Sequence, residues 1–291
     1  MVADLHPGYE KRILRVLAYM HDNPDGDLSL DTLADVAAMS RFHWHRVFRA
    51  VTGETCAQAA RRLRLHRAAG WLVQSDRALP VIATAAGYSS PASFSRAFSE
   101  AYGCSPAAFR KAGRLLPPFP EFRTGGYPMH PITIRTEPAR DLAVLPHRGS
   151  YMQIGKAFDA FGAISAGRGL WPGLGRMVGV YLDDPDAVPE AELRSFAGAE
   201  LLDAKMLDAG PEGGGPADLQ SWHLPGGRVA VLTYQGPYSG LQAAYAGLYG
   251  AWLPTSGEEP ADTPVYEVYL NSPRDTAPAD LVTEICLPLR D

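Results

Sequence analysis

The sequence has few of the residues that build covalent or metal-held scaffolds. Its three cysteines, Cys56, Cys104 and Cys286, are too few for a disulfide framework and too far apart for a paired Cys-x-x-Cys zinc site. His130, His147 and His223 stand away from any Cys or His at ligand spacing, and His43-x-His45 falls in a helical stretch, so no metal site is expected. No apolar run approaches the 18 residues of a spanning helix. The first 22 residues carry Asp4, Glu10, Lys11, Arg12 and Arg15 and lack the unbroken apolar core of a signal peptide. A reducing cytoplasm is the expected location, with no membrane partner. The glycines between Asp208 and Pro216 are not followed by Gly-Lys-Ser/Thr, and no Gly-x-Ser-x-Gly occurs. Neither a phosphate cradle nor a hydrolase elbow is indicated, and no cofactor is expected.

Composition is that of a folded chain, with 46 % hydrophobic and 20 % charged residues, and the length suits two domains. The net charge of −5 argues against a polyanion partner until it is divided. Residues 1 to 114 hold 15 Lys+Arg and 10 Asp+Glu, whereas residues 115 to 291 hold 12 and 22. Such asymmetry hints at a nucleic-acid partner for the basic part; the alternative is two solvated faces. The division coincides with Leu115-Leu116-Pro117-Pro118-Phe119-Pro120, Gly125-Gly126 and Pro128, which cannot continue a helix. Residues 1 to 114 and 130 to 291 are therefore expected to be domains, with 115 to 129 as the linker.

The basic part repeats itself. Arg46-Val47-Phe48 returns 50 residues later as Arg96-Ala97-Phe98, and Gly53 as Gly103; Ala37-Ala38-Met39-Ser40 parallels Ala86-Gly87-Tyr88-Ser89. Each copy reads as a short helix (Leu30 to Ala37; Val81 to Ala86), a tight turn and a longer helix. Ser40 and Ser90 are expected N-caps, with Pro91 at a first helical position. Phe48 and Phe98 fall at helical spacing and should anchor the cores. Thr55 to Val73 reads as one long helix between the copies. Two helix-turn-helix units in tandem imply double-stranded DNA, each second helix entering the major groove.

Residues 28 to 73 and 81 to 111 resemble the DNA-binding domain of AraC-family transcription regulators. The carrying residues include Ile82-Ala83, Gly87-Tyr88, Phe94-Ser-Arg-Ala-Phe98, Gly103 and Ser105-Pro106. One departure is Cys56, where the first repeat of the family usually has a proline, as Pro106 in the second; it should alter a local turn. The resemblance implies base-reading roles for Phe42, His45 and Arg46 in the first unit and for Pro91, Ala92, Ser95 and Arg96 in the second. Arginine can pair with guanine O6 and N7, and phenylalanine can meet a thymine methyl. For each arginine the alternative is a phosphate contact or a solvated charge. Arg41, Arg61, Arg62, Arg67 and Ser93 are expected at phosphates, which position without specifying.

The acidic part also repeats, at a spacing of 87 to 88. Val144-Leu145-x-x-x-Gly149-x-Tyr151 parallels Val231-Leu232-x-x-x-Gly236-x-Tyr238, and each is followed by an amphipathic stretch (Ile154, Phe158, Phe161; Leu241, Tyr245, Leu248). Val178-Gly-Val-Tyr181-Leu182 parallels Tyr266-Glu-Val-Tyr269-Leu270. Two strand-helix-strand-strand repeats would make an antiparallel sheet with helices on one face. The fold expected overall is multidomain, an all-α tandem helix-turn-helix domain followed by an α+β domain. Residues 130 to 291 resemble the GyrI-like effector-binding domain, through the two repeats, Asp183-Asp-Pro185 and the closing Tyr266-Glu-Val-Tyr-Leu-Asn-Ser-Pro273 and Thr283-Glu-Ile-Cys-Leu-Pro-Leu289.

Strand alternation puts Val265, Glu267 and Tyr269 on one face. A carboxylate in an apolar strand is costly to bury unless paired, and desolvation raises its pKa. The resemblance implies that Glu267 is the carboxylate of an effector pocket, which would take a cationic or aromatic small molecule with help from cation–π attraction. The alternative is an edge-strand charge facing water. Tyr151, Trp171, Tyr181, Trp222, Tyr238, Trp252 and Tyr269 are candidate walls, each with core packing as its alternative, and Glu284 is a second strand carboxylate. The expected protein is a non-enzymatic transcription regulator whose partners are DNA, an effector and RNA polymerase. An acidic tail could also compete with DNA for the basic head. The contrasting expectation is a hydrolase of reactive small molecules, with Glu267 and Tyr151 or Tyr238 as general base and hydrogen-bond donor.

Overall fold

The computed structural model describes residues 6–23, 26–113, 130–203 and 219–291. The expected linker and the glycine-rich stretch from Asp208 to Pro216 lie outside them. Among the described residues no helix is long and apolar enough to cross a membrane.

The head is seven helices: α1 (Pro7–Asp22), α2 (Leu30–Ala37), α3 (Trp44–Thr52), α4 (Cys56–Gln74), α5 (Leu79–Ala85), α6 (Pro91–Tyr102) and α7 (Pro106–Ala112). Its repeat is visible in the caps. Gly53 and Gly103 end α3 and α6 at φ 76° and 70°, a left-handed turn that glycine adopts without a Cβ clash. Ser90 accepts the Ser93 N–H and opens α6 as expected. Ser40 does not open α3. Its hydroxyl accepts the Phe42 N–H and donates to Asp262 of the second domain, at 3.3 and 3.0 Å. Residues 41–43 form a separate turn, and α3 starts at Trp44.

Cys56 leaves the local turn intact. Thr55 caps α4 in a reciprocal capping box with Gln58, just as Ser105 caps α7 ahead of Pro106. Phe48 and Phe98 are fully buried, but in different cores. Along α4, residues up to Leu63 join a cluster with α1, α2 and α3, and residues from Leu65 onward join α5, α6 and α7.

The second domain is one eight-stranded antiparallel sheet in the order β1-β6-β8-β7-β3-β4-β2-β5. The strands are β1 (Ile132–Glu137), β2 (Arg140–Arg148), β3 (Leu174–Tyr181), β4 (Arg194–Leu201), β5 (Gln220–Leu224), β6 (Gly227–Gln235), β7 (Val265–Tyr269) and β8 (Val282–Pro288). Helix α8 (Gly155–Gly167) follows β2. Helix α9 (Leu241–Gly247), a π-helical turn (Leu248–Trp252) and α10 (Leu253–Ser256) follow β6. Each expected repeat gains a leading strand, and these are exchanged: β1 pairs with β6, and β5 with β2. A pseudo-twofold axis therefore runs between β3 and β7, where Gly179 faces Glu267.

One face of the sheet carries the helices. The other curls over Val178, Val180, Val229, Val231, Tyr266, Val268 and Cys286. Towards this face Arg135, Glu137, Arg140, Glu200, Arg176 and Glu284 link in alternating ion pairs, so Glu284 is paired with Arg135 and belongs to that network. The first core of the head is continuous with the helical face of the sheet. Ile13, Leu33 and Phe48 share a cluster with Ala244, Leu248, Tyr249 and Ile285.

Candidate functional site

Glu267 sits on β7, 2 % exposed, on the helical face that strand alternation predicts. Three tyrosyl hydroxyls donate to it. Tyr245 reaches Oε1 at 3.0 Å, and Tyr269 and Tyr181 reach Oε2 at 2.7 and 3.2 Å. The Tyr181 and Tyr269 hydroxyls lie 2.8 Å apart. Burial raises the pKa of Glu267; the tyrosines and the charge of Arg46 pull it back only in part. Burial and the nearby carboxylate also hold Tyr181, Tyr245 and Tyr269 well above the ordinary phenol range. Hydrogen bonds from charge-neutral donors soften the cost of a buried carboxylate, and a cation removes more of it.

The repeat builds this cage. Tyr181 and Tyr269 are equivalent positions on β3 and β7, and Tyr151 and Tyr238 open equivalent 3₁₀ turns. The Tyr151 ring is 4.9 Å from Tyr181 and the Tyr238 ring 5.5 Å from Tyr269, both edge to face. Phe158 of α8 meets Tyr269 at 5.3 Å. Gly179 occupies the position equivalent to Glu267. A Cβ there would lie 3.0 Å from the Tyr269 hydroxyl and 3.2 Å from Tyr181, so the absent side chain makes room for the tyrosines.

The structure brings Glu267, Tyr151, Tyr181, Tyr238 and Tyr269 together. Trp222 lies on the other face of the sheet against Phe196, at 4.7 Å, so it is not a wall of this cage. Trp171 is 44 % exposed and Trp252 packs on the shared core from the π-helical turn; neither stacks on a tyrosine among the described residues. Sequence reasoning missed Tyr245 as a site residue. Its signal was present, as it sits at helical spacing between Leu241 and Leu248. No group of three metal-ligating side chains occurs among the described residues.

The second helices of the two helix-turn-helix units differ in their surroundings. On α6, Pro91, Ala92, Ser93 and Arg96 are exposed and Ser95 is half-buried. Arg61, Tyr88, Ala92, Ser93, Arg96, Ala97 and Glu100 line one shallow open depression. Ser93 donates its hydroxyl to Ser90 O, Arg61 pairs with Glu100, Arg62 holds Glu54, and Arg67 lies over Trp71. Arg41 is exposed above the half-buried Phe42.

On α3, His45 and Arg46 face the second domain. Arg46 lies over the rings of Tyr245 and Tyr249, 4.9 and 5.3 Å from their centroids, and donates to Asp183 O at 3.0 Å. Its Nε is buried with no hydrogen-bond partner. His45 Nδ1 meets Asp184 Oδ2 at 2.7 Å, while its Nε2 accepts the Cys56 N–H at 3.4 Å. The proton therefore sits on Nδ1 when the ring is neutral. A proline at residue 56 would lack that N–H. Burial alone would raise the Asp184 carboxyl; the His45 hydrogen bond with Arg46 and Arg49 outweighs it and holds the pKa below its ordinary value.

His43, two residues earlier, has the opposite tautomer. Its Nε2 faces Thr263 O at 2.9 Å and must donate, so Nδ1 accepts from the Tyr249 hydroxyl at 2.8 Å. Burial, then the charge of Arg46, lowers its pKa to about 3. Around these buried contacts lie a half-buried Arg12–Glu259 pair and an exposed Arg49–Asp186 pair, the latter of a kind that adds little.

The description "GyrI-like small molecule binding domain" matches residues 130–290, more than half of the chain. The chain belongs to the GyrI-like family. Its head matches "Helix-turn-helix domain" over residues 33–112 and is of the AraC type. The chain is 35 % identical over 114 residues to the "RCS-specific HTH-type transcriptional activator RclR" of Escherichia coli (strain K12), covering 39 % of this chain and 39 % of RclR. It is 31 % identical over 102 residues to "Regulatory protein SoxS" of the same organism, covering 35 % of this chain and 95 % of SoxS. The GyrI-like chain thus spans about two fifths of the length of RclR. Among solved structures it is similar to the C-terminal domain of EcmrR, with a TM-score of 0.45 and 17 % identity, covering 56 % of this chain and 99 % of that one.

Proposed function

We propose that this chain is a one-component transcription regulator in the cytoplasm. Its head reads DNA through α3 and α6, and its GyrI-like domain senses a small cationic or aromatic effector at Glu267. The observation that carries the reading is the buried Glu267 carboxylate inside a cage of tyrosines, on the same chain as an exposed reading helix. A buried anion lined by aromatic faces favours a cation. The domain divisions 1–114, 115–129 and 130–291 follow from this reading. Base contact is assigned to Phe42, His45, Arg46, Pro91, Ala92, Ser95 and Arg96, and phosphate contact to Arg41, Arg61, Arg62, Arg67 and Ser93. RNA polymerase is the third partner the regulator reading implies.

The test is paired. A mobility shift on the chain's own upstream region should show salt-sensitive, sequence-specific binding. Calorimetry with a panel of aromatic cations and their neutral isosteres should show saturable binding of the cations without turnover. Product formation from any of them would move the reading to a hydrolase, which neither the family match nor the regulator relatives favour.

A further inference from the structure

The effector cage and the first reading helix share a side chain. Tyr245 donates its hydroxyl to Glu267, and its ring is covered by the Arg46 guanidinium of α3. Arg46 also donates to Asp183 O, the carbonyl that accepts the Tyr151 hydroxyl, and Tyr151 packs on Tyr181 of the cage. Arg46 thus touches the cage from two sides, and its charge acts on Glu267. A planar cation over tyrosine rings and near a buried carboxylate is the chemistry proposed for the effector. Here a residue of the DNA-binding head supplies it.

We propose that Arg46 is a tethered stand-in for the effector, so that an aryl guanidinium or similar planar cation entering the cage displaces Arg46 and frees α3 for DNA. This rests on the effector reading of Glu267. Entry must separate Tyr245 from Glu267, because the three tyrosyl hydroxyls occupy both carboxylate oxygens. Moving Tyr245 removes the nearer of the two rings on which Arg46 rests. The Arg46 Nε has no partner in the docked state, so the stand-in is held imperfectly and a free cation with full access can compete. Effector and docked α3 exclude one another, and effector and DNA binding through α3 reinforce one another by linkage.

Phenylguanidinium is the probe. Its dissociation constant is measured by calorimetry on the full chain and on the Arg46→Ala chain, and amide exchange of α3 and α6 is followed with and without saturating probe. The expected result is binding at least tenfold tighter to Arg46→Ala, together with faster exchange in α3 of the unmutated chain while α6 is unchanged. Equal or weaker binding to an Arg46→Ala chain that is folded, or α3 exchange unmoved at saturation, overturns the competition while leaving the effector site standing. No binding to either chain overturns the effector reading beneath it, and the competition falls with it. Because the exchange measurement uses the unmutated chain, a misfolded variant does not decide the outcome.

Discussion

Glu267 and Gly179 face each other across the central strand pair, at positions that the internal repeat makes equivalent. One of the pair carries the charge and the other carries nothing, so the cage has a single anion on a near-symmetric frame of tyrosines. A symmetric site with two carboxylates would place like charges together and drive one to hold a proton. Gly179→Ala is expected to push Tyr181 and Tyr269 off Glu267. Overpacking of this kind costs about 1–3 kcal/mol, read as a lower denaturant midpoint with an unchanged slope. An unchanged midpoint would show that the tyrosines have room to move.

Glu267→Gln keeps the shape of the cage and removes its charge. Loss of a hydrogen bond to a charged group costs about 1.5–3 kcal/mol, so a cationic ligand should weaken by that amount while its neutral isostere does not. The folded chain should be no less stable, because a buried carboxylate is no longer desolvated. Equal losses for both ligands in calorimetry would place recognition in the shape of the site and not in its charge.

Docking of α3 should weaken in mild acid. The docked pKa of His43 is about 3, against about 6.5 for a free imidazole. With the docked value depressed, His43 supports docking in full above the free pKa, and that support drains away as pH falls below it. At pH 5.5 the docking equilibrium should be about tenfold weaker than at pH 7.5 from this group alone. The groups facing it are Arg46 of α3 and Tyr249 of the second domain, and His45, also on α3, is paired with Asp184 of the second domain. The difference between the unmutated chain and His43→Gln isolates its part. Amide exchange in α3 that is pH-independent once corrected for intrinsic rates, or equally pH-dependent in both chains, would refute the assignment.

Cys56→Pro restores the residue usual in AraC-type first repeats and removes the N–H that His45 Nε2 accepts. Proline fits a first helical position, so α4 should persist. Losing one hydrogen bond should loosen docking by about 0.5–1.5 kcal/mol, seen as faster exchange in α3 with α6 unaffected. Slower exchange would mean that the bond to Cys56 strains His45.

The two arginines should behave differently in DNA binding. Arg96→Ala should cost about 1–3 kcal/mol and relax one base position in the chain without effector. Arg46→Ala should show its base-specific loss only under conditions that release α3. A mobility-shift series in which both variants lose equal affinity on every sequence would make both arginines phosphate contacts.

Local and repeated features were legible in the sequence. The 50-residue repeat located both helix pairs and the long α4, and period-two alternation put Glu267 and Tyr269 on one face. The 88-residue repeat located the pairs of tyrosines. What escaped were features whose partners are remote and occur once. His43 meets Tyr249 across 206 residues, His45 meets Asp184 across 139, and Arg46 meets Asp183 across 137. Single polar pairs leave no periodic trace. Ser40 misled because a serine before a helix has the same composition whether it caps that helix or bonds Asp262. Trp222 misled because an aromatic in an amphipathic strand belongs to whichever face the register gives it.

The exchange of β1 and β5 between the repeats has a consequence for the order of synthesis. Strand β1 waits from residue 132 until residues 227 to 232 exist, so the second domain closes late, whereas every helix of the head is synthesised before that domain begins. The cover for α3 comes from Tyr249 and Thr263, later still. Every newly made chain therefore passes through an interval in which α3 has been synthesised and its cover has not. The docked state is reached only after residues 249 to 263 have been made.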